Sequence, residues 1–501
     1  MSYTIVRSNK IMPLTLEDLP NELYVFLFNY LKSSDIFRLF SGLNYRFNQL
    51  IRRYLRHIDL SRLSDIQLTN YLPLLDAESV HALKLNDNYI EHIFLYRNLN
   101  HVTLVNIINE KSKWPQFVAV LKQFDYLKMI FVWDLCDDTD EKCSSIICSN
   151  LFHPSCSLKE LHLEHIYLTI NENRIQPCLL LKRLLIGVRS DKDLHILMNN
   201  LPLIEYLKVN LEYGIHHQAH HISSIRRIMT KLKTFHIESL EYCVRSDSLK
   251  LILDRCPFVE QLFLNIMLGD RHINCRQIQD ELLSLLVNLK EFHFYISFVA
   301  LIDQHNLETY FSSFNRPIFA YKQHCLFSLP YAFEQLDLVE NSIVNCRTTA
   351  NDLCLYSRQH HLKKIVLGGK TAYSLKLFAF IRDMFPNVQI LEFTRYCYLE
   401  IDLLNDTNLV FNCLHTLVLP CVYQTTFADV KRLLLLTPNL DTVNIYYDLL
   451  LRIKSQLEDD VELYPLCQQL RQLIVFSGFV DKPFLHQQIQ SLFPKASVSY
   501  T

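Results

Sequence analysis

Four histidines crowd one short run of the chain, His216-His217-Gln218-Ala219-His220-His221. On a helix, His216/His220 and His217/His221 would pair at i, i+4, a spacing that can chelate zinc. No glutamate of an HExxH type accompanies them and no third ligand is evident, so the run reads as a polar loop before the helix at Ser223 and no metal is expected. Asp137, Asp138, Asp140 and Glu141 form an acidic run without EF-hand spacing or its glycine; it reads as a solvated loop. The 15 cysteines, scattered from Cys136 to Cys467, include no CxxC pair. They read as reduced, buried thiols rather than a disulfide framework. Cys243 and Cys256 have histidines nearby in sequence, but nucleophilic catalysis needs the imidazole adjacent in space. GxSxG, GxGxxG and GxxxxGK(S/T) are absent, and only 7 of 501 residues are glycine. No catalytic constellation can be named, and no catalytic residue, enzyme activity or cofactor is expected.

The elements that would position any site must come from a large core. Half the residues are hydrophobic and a fifth are charged, with a formal net charge of −2. That excludes wholesale disorder and gives no global basic field for nucleic acid. The first twenty residues lack an apolar h-region, and the longest stretch free of Asp, Glu, Lys and Arg, Thr407 to Ala428, is interrupted by Asn, His, Pro and Gln. No signal peptide and no membrane partner are expected, and the location is expected to be cytoplasmic and/or nuclear.

A six-residue unit, apolar-x-x-apolar-x-apolar, recurs along the chain. Copies begin at Leu55, Val80, Leu99, Leu127, Leu158, Leu181, Ile204, Leu232, Val259, Leu289, Phe333, Leu362, Val388, Leu414, Leu440 and Leu470. Successive copies lie 19–31 residues apart except for one step of 44, which predicts an insertion around 300–332. Segments between copies, such as 248–256, 281–288, 377–385 and 429–436, read as one amphipathic helix before the next strand. A repeat of helix, turn and strand cannot bury its leucines alone; stacked neighbours bury them in a continuous core. The region from 57 to 501 therefore resembles leucine-rich repeat proteins, and the expected fold is an α/β solenoid with parallel strands on a concave face and helices on a convex one.

Ahead of it, after a flexible segment 1–13, residues 14–56 predict three short helices. Pro20 suits a helix entry, and Leu23, Leu27, Tyr30 and Leu31 recur at helical spacing over 21–32. Ile36, Leu39 and Phe40 point a second helix inward, Gly42 stops it, and Asn44 caps a third through Phe47, Leu50 and Ile51. Such a unit is too small to be stable by itself and needs something to dock against.

The run Leu19-Pro20-x-Glu22-Leu23, followed by Phe28, Leu31, Asp35-Ile36, Leu39 and Phe47, resembles an F-box, the adaptor-binding module of SCF ubiquitin ligases. The resemblance implies that Leu19, Pro20 and Leu23 insert into a Skp-type adaptor, itself joined to a cullin scaffold, with Leu31, Ile36 and Leu39 supporting that surface. The solenoid would then hold a target protein for ubiquitylation by proximity. The alternative is an interaction scaffold outside the ubiquitin system, its helices a mere N-terminal cap; exposure of Leu19, Pro20 and Leu23, against burial on the first repeat, discriminates the two.

Side chains alternate along a strand, so the residue between the last two core positions of each copy faces the concave side. Phe131, His162, Lys208, His236, Phe263 and His293 are the candidate target-binding residues there, since exposed aromatic and fixed polar groups make anchors. His162, His236 and His293 fall in non-adjacent repeats and are too far apart to share a metal.

Overall fold

A computed structural model describes residues 19–31, 33–61, 63, 65–72, 75–86, 93, 95–96, 98–107, 124–131, 137–212, 227–269, 278–298, 318–321, 325–329, 331–345, 347–348, 361–368, 371–394, 398–406, 408–419, 425–476, 489 and 492–500. The His216–His221 run lies outside the described residues. The chain divides into two compact units at Phe235/His236.

The first unit opens with three helices, α1 (Asn21–Phe28), α2 (Ser33–Phe40) and α3 (Tyr45–Tyr54). Extended backbone at Pro20 starts α1. Expected to reach residue 32, α1 ends at Phe28, because Tyr30 and Leu31 donate to Leu27 and Phe28 in the i, i+3 pattern of a tightened last turn. Gly42, at φ 76°, supplies the left-handed turn after α2. The Asn44 side chain accepts from Phe47 N at 3.0 Å and caps α3. A ring cluster closes the three helices on themselves. Phe47 meets Tyr24 edge-on at 4.8 Å and Phe40 at 5.5 Å, and Phe40 meets Phe28 at 5.4 Å. One expectation is corrected here: Leu39 points outward at 49 % exposure, and its place inside is taken by the fully buried Phe37, stacked on Tyr71. The larger ring finds a partner inside and the leucine does not.

Seven strands follow in chain order, each parallel to the next: β1 (His57–Asp59), β2 (Ala82–Asn86), β3 (His101–Ile107), β4 (Tyr126–Phe131), β5 (Glu160–Leu168), β6 (Arg183–Val188) and β7 (Tyr206–Leu211). Ile58, Leu83, Val102, Leu127, Leu161, Leu184 and Leu207 stand in one register and are buried. Burying each such side chain contributes about 1.5–3 kcal/mol before entropy is charged. Ser33 Oγ donates to His57 O and accepts from Asp59 N, fastening α2 to β1.

All sixteen predicted copies fall on strands. One register is corrected. Leu127 pairs with Val102 and Leu161, the fourth position of their copies, so the fourth copy begins at Phe124, which is buried. Lys128, not Phe131, then stands beside His162. A run as apolar as 124–132 fits the six-residue pattern in two registers three residues apart, and pattern alone cannot choose. The acidic residues 137–141 are not a loop but the start of a helix, Asp137–Leu151.

The helix Asp191–Asn199 shows how neighbouring repeats are joined. Ser190 caps it, and Asp193, three residues on, accepts from Ser190 Oγ at 2.6 Å and from Ile170 N at 2.6 Å. The second unit repeats the device at the helix Phe427–Leu435: Thr426 and Asp429 form a capping box, and Asp429 accepts from Leu399 N at 2.9 Å. Burial raises the Asp193 carboxyl, outweighing the hydrogen bonds that lower it.

In the second unit β9 (Gln261–Leu268) and β10 (Glu291–Phe298) are parallel, with β8 (Thr234–Val244) preceding them. The parallel series then breaks. β11 (Ile318–Tyr321) and β12 (Cys325–Ser328) form a hairpin whose β12 runs antiparallel to β10, and β14 (Arg347–Thr348) pairs antiparallel with β11. The expected insertion is thus part of the sheet. A second, seven-stranded parallel sheet follows, ordered β13 (Gln335–Val339), β15 (Lys364–Leu367), β16 (Ile390–Phe393), β17 (Thr416–Leu419), β18 (Thr442–Tyr446), β19 (Gln472–Phe476) and β20 (Ser497–Tyr500). Its core continues into the helices Leu375–Met384, Phe427–Leu435 and Tyr447–Asp459. The expected helix over 281–288 is instead a short π turn and a 3₁₀ turn. The mixed α/β architecture with large parallel sheets matches the solenoid expectation; among the described residues no helix is long and apolar enough to cross a membrane.

Candidate functional site

The three N-terminal helices carry an apolar surface beside their closed core. Of 20 exposed large hydrophobic residues among those described, seven lie between residues 23 and 45: Leu23, Phe26, Leu27, Tyr30, Leu39, Leu43 and Tyr45. Leu23 is 50 %, Phe26 60 % and Tyr30 74 % exposed, whereas Tyr24 on the same helix is 1 % exposed. The surplus is therefore local, and an apolar patch of this kind marks an interface. Pro20 is exposed and Leu19 and Leu31 are half-buried. Ile36, at 1 %, sits under the surface and supports it from within. The sequence reading did not single out Phe26, Leu43 or Tyr45; nothing in helical periodicity distinguishes an apolar residue facing a partner from one facing the core.

Arg46 fixes the start of this surface. Its guanidinium donates to Leu19 O and, at 2.7 Å through Nε, to Asn21 Oδ1, while lying 5.6 Å from the Tyr24 ring centre. It ties the Leu19-Pro20 segment to α3 from behind. Arg46→Ala is expected to leave Leu23 in place, free the 19–21 segment and weaken capture of a partner there about tenfold, read by calorimetric titration alongside a melting curve.

The strand face of the first unit is a second candidate. Asp59, Lys84, Thr103, Lys128, His162, Leu185 and Lys208 form one row across β1–β7. Predicted residues His162 and Lys208 are in it, separated by Leu185; Phe131 ends β4, its side chain outside the described residues. Most charges are internally matched: Lys84 with Asp59 at 2.8 Å and Lys128 with Glu164 at 2.5 Å. Tyr126 stacks edge-on to His162 at 5.0 Å. Burial pushes the His162 imidazole below its usual range; Lys128 and Arg183 act the same way against Glu160 and Glu164. It is therefore neutral near pH 7, and its 4.0 Å approach to Glu160 is no charged bridge.

In the second unit the three predicted residues do meet. The Phe263 ring stacks on His236 at 3.9 Å and on His293 at 4.9 Å, one ring per strand. The two imidazoles are thus separated by a phenyl ring, not joined around a metal. Among the described residues no group of three His, Cys, Asp or Glu could hold a metal ion. Burial pushes the thiols of Cys178 and Cys256 to about 12, which keeps them protonated and poor nucleophiles.

No family model and no curated protein matches the chain. Among solved structures, a chain in the crystal structure of the Rad7 and Elc1 complex in yeast is similar at 14 % identity and a TM-score of 0.30, over 85 % of this chain and 88 % of that chain. A TM-score of 0.30 does not establish a shared fold. The class defined by the chain's own geometry is a parallel-stranded α/β repeat protein with an N-terminal three-helix unit.

Proposed function

We propose that the chain is a substrate-recognition subunit of an SCF-type ubiquitin ligase. The helices α1–α3 bind a Skp-type adaptor and through it a cullin scaffold, and the strand faces hold a target protein. The chain contributes no catalytic group; it raises the effective concentration of target lysines at a transferable ubiquitin. The observation that carries this reading is the exposure of Pro20, Leu23, Phe26 and Leu27 beside a core already closed by Tyr24, Phe28, Phe40 and Phe47. A mere cap would turn its apolar side chains onto the first repeat. Here Phe37 and Ser33 make that attachment and the leucines are left out.

Titration of the purified chain with a Skp-type adaptor tests it. The expected result is a one-to-one complex of sub-micromolar affinity. Absence of binding by the folded chain would remove the ubiquitin reading and leave a scaffold with a helical cap.

A further inference from the structure

In the first unit, the turn that follows β5 is held from two sides. Thr169 N donates to Ser144 Oγ at 3.3 Å, on the helix Asp137–Leu151, and Ile170 N donates to Asp193 Oδ1 at 2.6 Å, on the helix Asp191–Asn199. Asn171 then starts a 3₁₀ turn over Glu172–Arg174, its side chain accepting from Asn173 N at 3.0 Å. The two helices and this turn line one cavity of about 860 Å³, inside the ~300–1,000 Å³ range of small-molecule sites. None of its lining residues belongs to the strand-face row, so target binding does not account for it.

The lining combines three kinds of chemistry. Ile146, Ile170 and Ile196 give it apolar surface. Arg174 and Lys192 bring two cations from two different elements, and Glu172 brings one carboxylate. Neither cation forms an ion pair among the described residues. Lys192 acts electrostatically on the buried Asp193, but each oxygen of that carboxylate already accepts a hydrogen bond, from Ile170 N and from Ser190 Oγ. The hydroxyl-bearing residues Ser145 and Thr169 complete the wall, and Thr169 Oγ1 is buried with no hydrogen-bond partner. A guanidinium and an ammonium on one cavity suit an oxyanion. The Ser145 and Thr169 hydroxyls and the Glu172 carboxylate suit hydroxyl groups, which both donate and accept.

We propose that this cavity binds a small phosphorylated sugar, its phosphate on Arg174 and Lys192 and its hydroxyl groups toward Glu172, Ser145 and Thr169. Phosphate alone would leave the hydroxyl-bearing and apolar wall unused, and a neutral sugar would leave both cations unmatched. The carbon faces of the sugar ring cover the isoleucines. Bound there, the ligand bridges the helices Asp137–Leu151 and Asp191–Asn199 through the turn between them. The proposal goes beyond the adaptor and target readings, and its test needs neither partner.

The experiment is calorimetric titration of the full chain with glucose 6-phosphate, glucose, inorganic phosphate and a phosphoserine peptide. Glucose 6-phosphate is expected to bind one-to-one with sub-millimolar affinity, and the other three at least tenfold more weakly. Arg174→Gln/Lys192→Gln is expected to lose at least tenfold. Lys159→Gln/Lys182→Gln removes the same charge from the same unit outside the cavity and should lose nothing. No binding of glucose 6-phosphate, equal binding of glucose, tighter binding of the phosphopeptide, or equal loss in both variants would overturn the proposal. Hydrogen exchange of the unmodified chain guards against a variant that fails to fold. Glucose 6-phosphate should slow exchange in the helices Asp137–Leu151 and Asp191–Asn199 and leave the helix Leu375–Met384 unchanged; the reverse pattern would also overturn it.

Discussion

Replacing Leu23 and Leu27 together with alanine is expected to weaken adaptor binding about 100-fold while leaving the melting temperature within a degree or two. The two effects separate because of where the side chains sit. Leu23 is 50 % and Leu27 44 % exposed, so truncation removes little that the folded chain has buried. Anchors of this type cost about 1–2 kcal/mol or more each when truncated at an interface, and about 2.7 kcal/mol in sum is a factor of 100. Phe47→Ala makes the contrast. Phe47 is fully buried against Tyr24 and Phe40, so its loss is expected to cost about 3–5 kcal/mol and to abolish binding by unfolding the helices. Calorimetric titration with parallel melting curves checks both. A folded Leu23→Ala/Leu27→Ala variant that binds like the parent would sink the F-box reading.

The repeat was legible because one physical requirement writes the same residues again and again. Each strand must bury two alternate side chains against its neighbours, and Leu83/Leu85, Val102/Leu104 and Leu127/Met129 do so in register. The end of α2 and the start of α3 were legible for a similar reason: Gly42 and Asn44 are residue types that the backbone there requires. The orientation of α1 was not. Leu23, Phe26, Leu27 and Tyr30 are as apolar as Tyr24 and Phe28, so the helix is hydrophobic on nearly every side and periodicity cannot say which face goes in. Ring packing decides it, and ring packing depends on α2 and α3. The hairpin of β11 and β12 was invisible for the opposite reason: it pairs antiparallel and needs no repeat signature.

Gly187→Ala is expected to be the most damaging single-methyl change in the first unit. A Cβ on Gly187 would lie 2.3 Å from Ile166 O and 2.9 Å from Tyr167 Cδ1. The first of these is backbone and cannot swing away. The crowding comes from β5, whose pairing with β6 slips between His162 and Tyr167, so that five residues of β5 span two of β6 and the Ile166 carbonyl is pressed onto Gly187. Relieving the clash means separating two central strands, at about 3 kcal/mol or more. For a unit of this size that lowers the first melting transition by roughly 6–12 °C. Gly42→Ala provides the control. Nothing lies within 4 Å of a Cβ there, and only the left-handed backbone at φ 76° resists it, at about 1–2 kcal/mol. In a chain with so few glycines the two substitutions separate two reasons for having one, space at Gly187 and backbone handedness at Gly42. Differential scanning calorimetry of both variants checks the ranking. If Gly187→Ala melts with the parent, the slip in β5 is softer than its geometry requires, and the strands beyond it are not held in register by that contact.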